Sequence, residues 1–373
     1  MGEINGFEWE RLMKRNAMKT SLRITMLVSA MAMIVVPAIG LMQLGGGLTR
    51  EQFEPRVCAF YYTWYDASEF LIDTERMPDM GTGNPMPYNS SNASVLLHHL
   101  QDASASGIDT FINTWWGPGN ELDARFGEIL NLTQANAIPM EHAVIFESVQ
   151  DRYSSDNPNG TMNLYLDLRY MIETHGTHPN FLRISGRPVL FLFNYRARAS
   201  ILDWKVAIDM LHRDGLKPFL IADIGSSNGG YWRDEPGHQD VPIKELELEI
   251  FDGFHVYNPV ATYIHASSIA LEKFRAVNAM ARIHHELACS TVFPGYNDTT
   301  HHLHFNLDPS PAFPRKNGAT YNQSWDVAMA AKPDWILICT YNEWREGTEI
   351  ESSVELGNLY MNITREYSTT FKS

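Results

Sequence analysis

Hydrophobic and polar positions divide this 373-residue chain into two regimes. Ile24 to Leu44 form one nearly unbroken apolar run (ITMLVSAMAMIVVPAIGLMQL), relieved only by Thr25, Ser29, Pro37 and Gln43, and long enough to cross a bilayer as a helix. Beyond residue 56 the pattern changes to short β-branched or aromatic runs, each followed by a stretch at helical spacing. The runs predict strands at 57–63, 109–114, 142–147, 188–194, 217–222, 252–257, 289–293 and 335–340. The stretches between them predict helices over 92–106, 120–136, 162–175, 201–213, 266–287 and 322–332, while the fifth gap is glycine-rich and irregular around Gly225 to Gly237.

Eight β-α units in succession predict an α/β protein, a parallel (β/α)8 TIM barrel with enlarged loops. A doubly wound open sheet is the alternative, but no G-x-G-x-x-G follows an early strand to support a dinucleotide site. No Pro- or Ser-rich linker divides this region. The expected organisation is a basic stub (1–23), a transmembrane signal-anchor (24–44), a short linker (45–55) and one barrel domain (56–373).

Charge orients the first segment. Arg11, Lys14, Arg15, Lys19 and Arg23 precede it, and Glu51 and Glu54 follow, so the positive-inside rule places the N-terminus in the cytoplasm and the barrel outside it, extracellular or luminal. A signal peptide cleaved near Ala38 or Gly40 is the rival reading; both export the barrel. Asn89, Asn92, Asn131, Asn159, Asn297, Asn322 and Asn362 each head an N-x-[ST] triplet, in keeping with an exported glycoprotein. Residues 1–50 hold six basic and three acidic side chains, so the whole-chain net charge of −15 leaves the exported part at −18. Such a surface repels phosphate backbones and polyanionic ligands, which excludes a nucleic-acid partner and leaves neutral ones.

The ends of the predicted strands are where a barrel of this kind places its chemistry. In order they carry Tyr61, Tyr62, Trp64 and Tyr65; Trp115 and Trp116; Glu147; Asn194 and Tyr195; Asp223; Tyr257 and Asn258; Gly295 and Tyr296; and Asn342, Glu343, Trp344 and Glu346. Aromatic faces stack on the C–H faces of sugars, and carboxylates and amides meet their hydroxyl edges. Glu343 and Glu346, three residues apart just past the last strand, reach one bound group if the chain turns helically there. Paired carboxyls of this kind cleave glycosidic bonds, with Arg345 placed to keep one ionised and crowding to raise the pKa of the other.

F-Y-Y-T-W-Y (60–65), T-W-W (114–116), F-E (146–147), G-T-H-P-x-F (176–181), F-D-G-F-H-V-Y (251–257), P-G-Y-N-D-T (294–299) and Y-N-E-W-R-E-G-T-E-I-E (341–351) occur in an order that resembles glycoside hydrolase family 99, over residues 56 to 367. The resemblance implies a (β/α)8 barrel that cuts within an α-mannoside chain, endo-α-1,2-mannosidase or endo-α-1,2-mannanase in type, retaining anomeric configuration with no metal or cofactor. It further implies a substrate-assisted route, in which a carboxylate takes the proton of the sugar's 2-hydroxyl and that oxygen attacks the anomeric carbon to give a 1,2-anhydro sugar. By motif position Glu343 is that base, and Glu346 is the general acid and later the base for water. Tyr62, Trp115, Trp116, Glu147, His178, Tyr257, Tyr296 and Asn342 are the expected contacts to a mannose-containing oligosaccharide or polysaccharide.

The chain departs from the family pattern in three places: Glu147-Ser-Val stands where E-P-Y is usual, Asp66 replaces a glycine, and Arg345 replaces a histidine. Trp116 resembles the mannan-cutting bacterial members, whereas animal members that prefer a terminal glucose carry Tyr, so mannose is expected beyond the cleavage point. Two other readings stay open: a catalytically silent glycan-binding barrel, and a glycosidase of different linkage specificity with two directly acting carboxylates. His301-His302-Leu303-His304 is weighed as a metal site and set aside for a solvated loop, having no cysteine nearby and no H-E-x-x-H pattern. Cys58, Cys289 and Cys339 fall in apolar strands and are expected to be free core thiols.

Overall fold

The computed structural model describes residues 53–225, 243–265 and 267–373. The stub, the apolar segment 24–44, most of the linker and most of the glycine-rich fifth gap lie outside the described residues. Among those described, no helix is long and apolar enough to cross a membrane.

Eight parallel strands close on themselves: β1 (Arg56–Tyr61), β2 (Thr110–Trp115), β3 (Glu141–Glu147), β4 (Arg187–Phe193), β5 (Phe219–Asp223), β6 (Gly253–His255), β7 (Leu287–Val292) and β8 (Trp335–Ile338). Each pairs with its successor, and β8 returns to β1 with Val57 beside Ile336. Every predicted strand overlaps one of these. The expected helices stand at Ala93–Ala105, Glu121–Ala135, Gly160–Thr174, Ile201–Arg213, Ser267–Ile283 and Ala319–Ala330. Closure leaves no unpaired sheet edge, which is what near-continuous apolar strands require. A short strand, Arg183–Ile184, adds an antiparallel hairpin to β4 that the periodicity did not predict.

The twofold alternation of strands sorts side chains into two shells. Phe60, Phe191 and His255 meet in the barrel interior, with ring centroids 5.4–6.3 Å apart. Their neighbours face outward: Tyr61 stacks on Phe111 at 4.2 Å, and both join the cluster under helices Ala93–Ala105 and Ala319–Ala330. Burial holds the His255 imidazole neutral, pushing its pKa down to about 3. Cys58, Cys289 and Cys339 are buried free thiols, as their apolar runs imply.

Candidate active site

One step beyond the interior layer, the same alternation aims Tyr62, Glu147, Phe193 and Tyr257 into the C-terminal mouth of the barrel. With Trp64, Ile145, Glu343 and Glu346 they line a cavity of about 130 Å³. A second hollow, about 310 Å³, shares Phe193, Tyr257 and Glu346 with the first and adds Asp223, Asn258, Tyr296 and Pro311. Glu346 therefore stands between two lobes of one cleft.

Both carboxylates reach the cleft, although not from a helix. Residues 344–347 form a turn closed by Gly347 N–H to the Trp344 carbonyl at 3.2 Å. Gly347 (φ +60°) suits this turn, because a Cβ there would lie 2.9 Å from the Asn297 carbonyl oxygen. The Asn297 N–H in turn donates to the Glu346 carbonyl at 2.8 Å, tying the turn to the loop after β7.

The two carboxyls differ in what surrounds them. Glu343 Oε1 accepts the Tyr65 hydroxyl at 3.0 Å and the Arg345 main-chain N–H at 3.2 Å. Glu346 Oε2 is buried and has no hydrogen-bond partner among the described residues. Burial raises both pKa values above the ordinary carboxylate range, with the charge of Glu346 adding to the rise at Glu343, and Asp298 and Glu147 adding to that at Glu346. Arg345 and the two donors oppose the rise at Glu343, whereas the Tyr257 hydroxyl is the group that opposes it at Glu346. The two titrate as a coupled pair, and the repulsion between their charges favours a state in which the pair holds one proton. Burial also raises Glu147, against a hydrogen bond from Thr114.

Aromatic rings form one wall. Tyr62 lies 4.4 Å from Trp64, which lies 5.7 Å from Trp116, and Trp116 is 42% exposed at the open end. The Tyr62 hydroxyl donates to that of Tyr257 at 2.7 Å, joining opposite sides of the mouth. Asp223 pins the far side by accepting main-chain N–H groups of Gly225 at 2.8 Å, Tyr257 at 3.2 Å and Asn194 at 3.4 Å. Burial lifts its pKa to about 6 against those bonds.

Glu343, Glu346, Glu147, Tyr62 and Tyr257 thus converge as expected, Tyr296 lines the larger lobe, and Trp116 extends the wall. Three expected contacts lie elsewhere. Trp115 is one residue out of phase: its ring faces the helices, donating to Asp123 at 3.0 Å and stacking on Tyr170. Asn342 is fully buried, its amide accepting the Tyr62 N–H at 2.8 Å and donating to the Tyr62 carbonyl at 2.7 Å, so it fixes the loop that carries Tyr62. His178 belongs to the turn between helix Gly160–Thr174 and β4, at the opposite end of the barrel, where its Nδ1 accepts the Asn180 N–H at 3.1 Å. The turn leads into the start of a strand, and the cleft is built from strand ends.

Trp64 and Tyr65, named among the strand-end residues but not among the expected substrate contacts, also belong to the site: Trp64 lines the cavity and Tyr65 bonds to Glu343. The Arg345 guanidinium binds Asp73 and Glu69, each at 3.0 Å, rather than either catalytic candidate. His301 and His302 turn to Asp73 at 3.3 Å and Asp298 at 3.4 Å.

Residues 71–363 match Glycosyl hydrolase family 99. The chain belongs to this family, and it is a glycoside hydrolase. The mouse glycoprotein endo-alpha-1,2-mannosidase (Mus musculus) is 21% identical over 349 residues, spanning 86% of this chain and 69% of its own. The Xenopus laevis protein of the same name is 22% identical over 386 residues, spanning 87% and 79%. Among solved structures, a family 99 endo-alpha-mannosidase from Bacteroides thetaiotaomicron in complex with bis-tris-propane superposes with a TM-score of 0.66 at 20% identity, covering 85% of this chain and 97% of its own. That likeness gives the same barrel fold.

Proposed function

We propose that this family 99 member is a retaining endo-α-mannosidase that cuts internal α-1,2-mannosidic bonds in mannose-rich glycans or α-mannan. The supporting observation is the convergence of Glu343 and Glu346 on one buried cavity in unequal surroundings, Glu343 held by the Tyr65 hydroxyl and the Arg345 main-chain N–H, and Glu346 with one buried oxygen that has no hydrogen-bond partner among the described residues. Unequal surroundings assign unequal roles. Glu343 takes the proton of the 2-hydroxyl, the freed oxygen attacks the anomeric carbon, the glycosidic C–O bond breaks, and the departing oxygen takes its proton from Glu346. In the second half Glu346 removes a proton from water, the water oxygen attacks the same carbon, and the 1,2-anhydro ring opens as O2 recovers its proton from Glu343. Two inversions at one carbon give net retention.

This route needs a free 2-hydroxyl on the sugar at the cleaved bond. Any further sugar on that side must be attached through another position. The exposed face of Trp116, beside Trp64, is the stacking surface for that further sugar, for which we propose mannose. The apolar segment 24–44 behind a basic stub supports a membrane-anchored enzyme with its barrel outside the cytoplasm.

The test is incubation of the full chain with mannooligosaccharides that contain one internal α-1,2 bond and carry glucose or mannose at the far end, followed by product sizing. Disaccharide release that is lost in Glu346→Gln is the expected result. Binding without cleavage would leave only a glycan-binding barrel.

A further inference from the structure

Arg345 sits between the two glutamates in sequence, yet it is absent from the lining of the cleft. Its guanidinium is anchored by Asp73, which is 3% exposed, and by the half-exposed Glu69. Anchored there, it stacks over the Tyr65 ring at 5.3 Å and lies 6.0 Å from the Trp64 ring. Tyr65 is the residue whose hydroxyl donates to Glu343 Oε1, and the Arg345 main-chain N–H donates to that same oxygen. One residue thus reaches a single carboxylate oxygen by two paths, directly from its main chain and from its side chain through Tyr65. A cation over a phenol ring is attracted to its π face and makes the O–H more acidic, hence a stronger donor to a carboxylate.

We propose that Arg345 is a positioning residue whose guanidinium favours the ionised form of Glu343 and aims its carboxylate through Tyr65, beside the bond that its main-chain N–H gives the same oxygen. The inference rests on the reading of Glu343 as the base. Other charged and titratable groups face this pair. Glu346 on the turn opposes ionisation of Glu343, and Tyr62 and Tyr257 border the cavity as neutral phenols. Glu147 enters from β3, and Cys339 follows β8 as a buried neutral thiol. On the outer side Asp73 and Glu69 offset part of the Arg345 charge, and His301 lies against Asp73, its protonation disfavoured by burial and by Arg345. Removing Arg345 charge and removing Asp73 charge should therefore move Glu343 in opposite directions.

The experiment is ¹³C NMR titration of glutamate-labelled full-length protein, with the Glu343 signal assigned by its loss in Glu343→Gln, run beside the pH profile of kcat/KM. Arg345→Gln should move the Glu343 midpoint up by about 1 pH unit, the low end for loss of an opposite charge nearby, and carry the acidic limb of kcat/KM with it. Arg345→Lys should restore most of the difference, and Asp73→Asn should move the midpoint down. An unchanged midpoint in Arg345→Gln or Asp73→Asn, with activity lowered equally at every pH, would overturn the inference and leave Arg345 a structural residue. Midpoints that move while the acidic limb stays fixed would support the role of Arg345 and reject Glu343 as the base.

Discussion

Tyr65 and Glu343 are joined by a 3.0 Å hydrogen bond from the phenol to Oε1, and the phenol oxygen itself accepts the Trp344 N–H at 2.9 Å. The tyrosine therefore fixes both the charge and the direction of the carboxylate. A hydrogen bond to a charged group contributes about 1.5–3 kcal/mol. Tyr65→Phe should lower kcat/KM by about 10–100-fold, because less of Glu343 is ionised and its carboxylate is less well aimed before it takes the 2-hydroxyl proton. Steady-state kinetics on a mannooligosaccharide, read as a split between kcat and KM, checks this.

Both glutamates carry raised pKa values, so the singly protonated pair that the proposed route requires occupies a window displaced upward from the usual carboxylate range. The kcat/KM profile should be a bell whose two limbs report the macroscopic pKa values of the coupled pair. Glu346→Gln should remove activity on ordinary substrates, yet spare much of it on a substrate whose leaving group needs no proton, until the second half-reaction limits. A profile with an acidic limb at the ordinary carboxylate value would contradict the buried pair.

Asn342 spans the gap between the loop after β8 and the loop after β1 with two bonds to the Tyr62 main chain, and a third at 3.3 Å to Tyr88. Asn342→Ala leaves buried main-chain groups unpaired, at about 1–3 kcal/mol each. Thermal unfolding should show the destabilisation, and KM should rise because Tyr62 loses its support. Asn342→Asp should be worse than Ala at neutral pH, since it buries a charge facing the Tyr62 carbonyl.

Glu286 precedes β7 at the end of the barrel remote from the cleft, and burial, aided by Asp252, lifts its pKa to about 9. A carboxyl favoured in its neutral form by folding contributes full stability below its unfolded pKa, about 4.3, and loses that contribution as pH rises through the folded value. Stability should therefore decline between about pH 4.3 and 9. Glu286→Gln should flatten the decline, raising Tm at pH 9 by roughly 1–2 °C per kcal/mol recovered for a domain of this size and changing little at pH 4. Calorimetry at the two pH values checks the sign.

The eight strands were legible because each is a short apolar run bounded by polar turns, and parallel barrel strands bury both faces. Glu343 and Glu346 were legible for the same reason, being the first carboxylates after such a run. Reading strand-end residues as a set concealed the alternation within them: Tyr62 and Trp116 face the cleft, while Tyr61 and Trp115 face the helices. His178 came from a motif whose position in the fold periodicity does not reveal. The bond from Tyr65 to Glu343 spans 278 residues, a distance that neither spacing nor composition encodes.

The proposed route turns on the 2-hydroxyl of the sugar whose anomeric bond is cut. A mannose oligosaccharide with one internal α-1,2 bond, compared with the same molecule lacking the 2-hydroxyl on the sugar whose anomeric bond is cut, tests it in one assay with product sizing and NMR of the released anomer. Release of the disaccharide in retained configuration from the first, and no cleavage of the second, is the predicted result; comparable cleavage of both would contradict it.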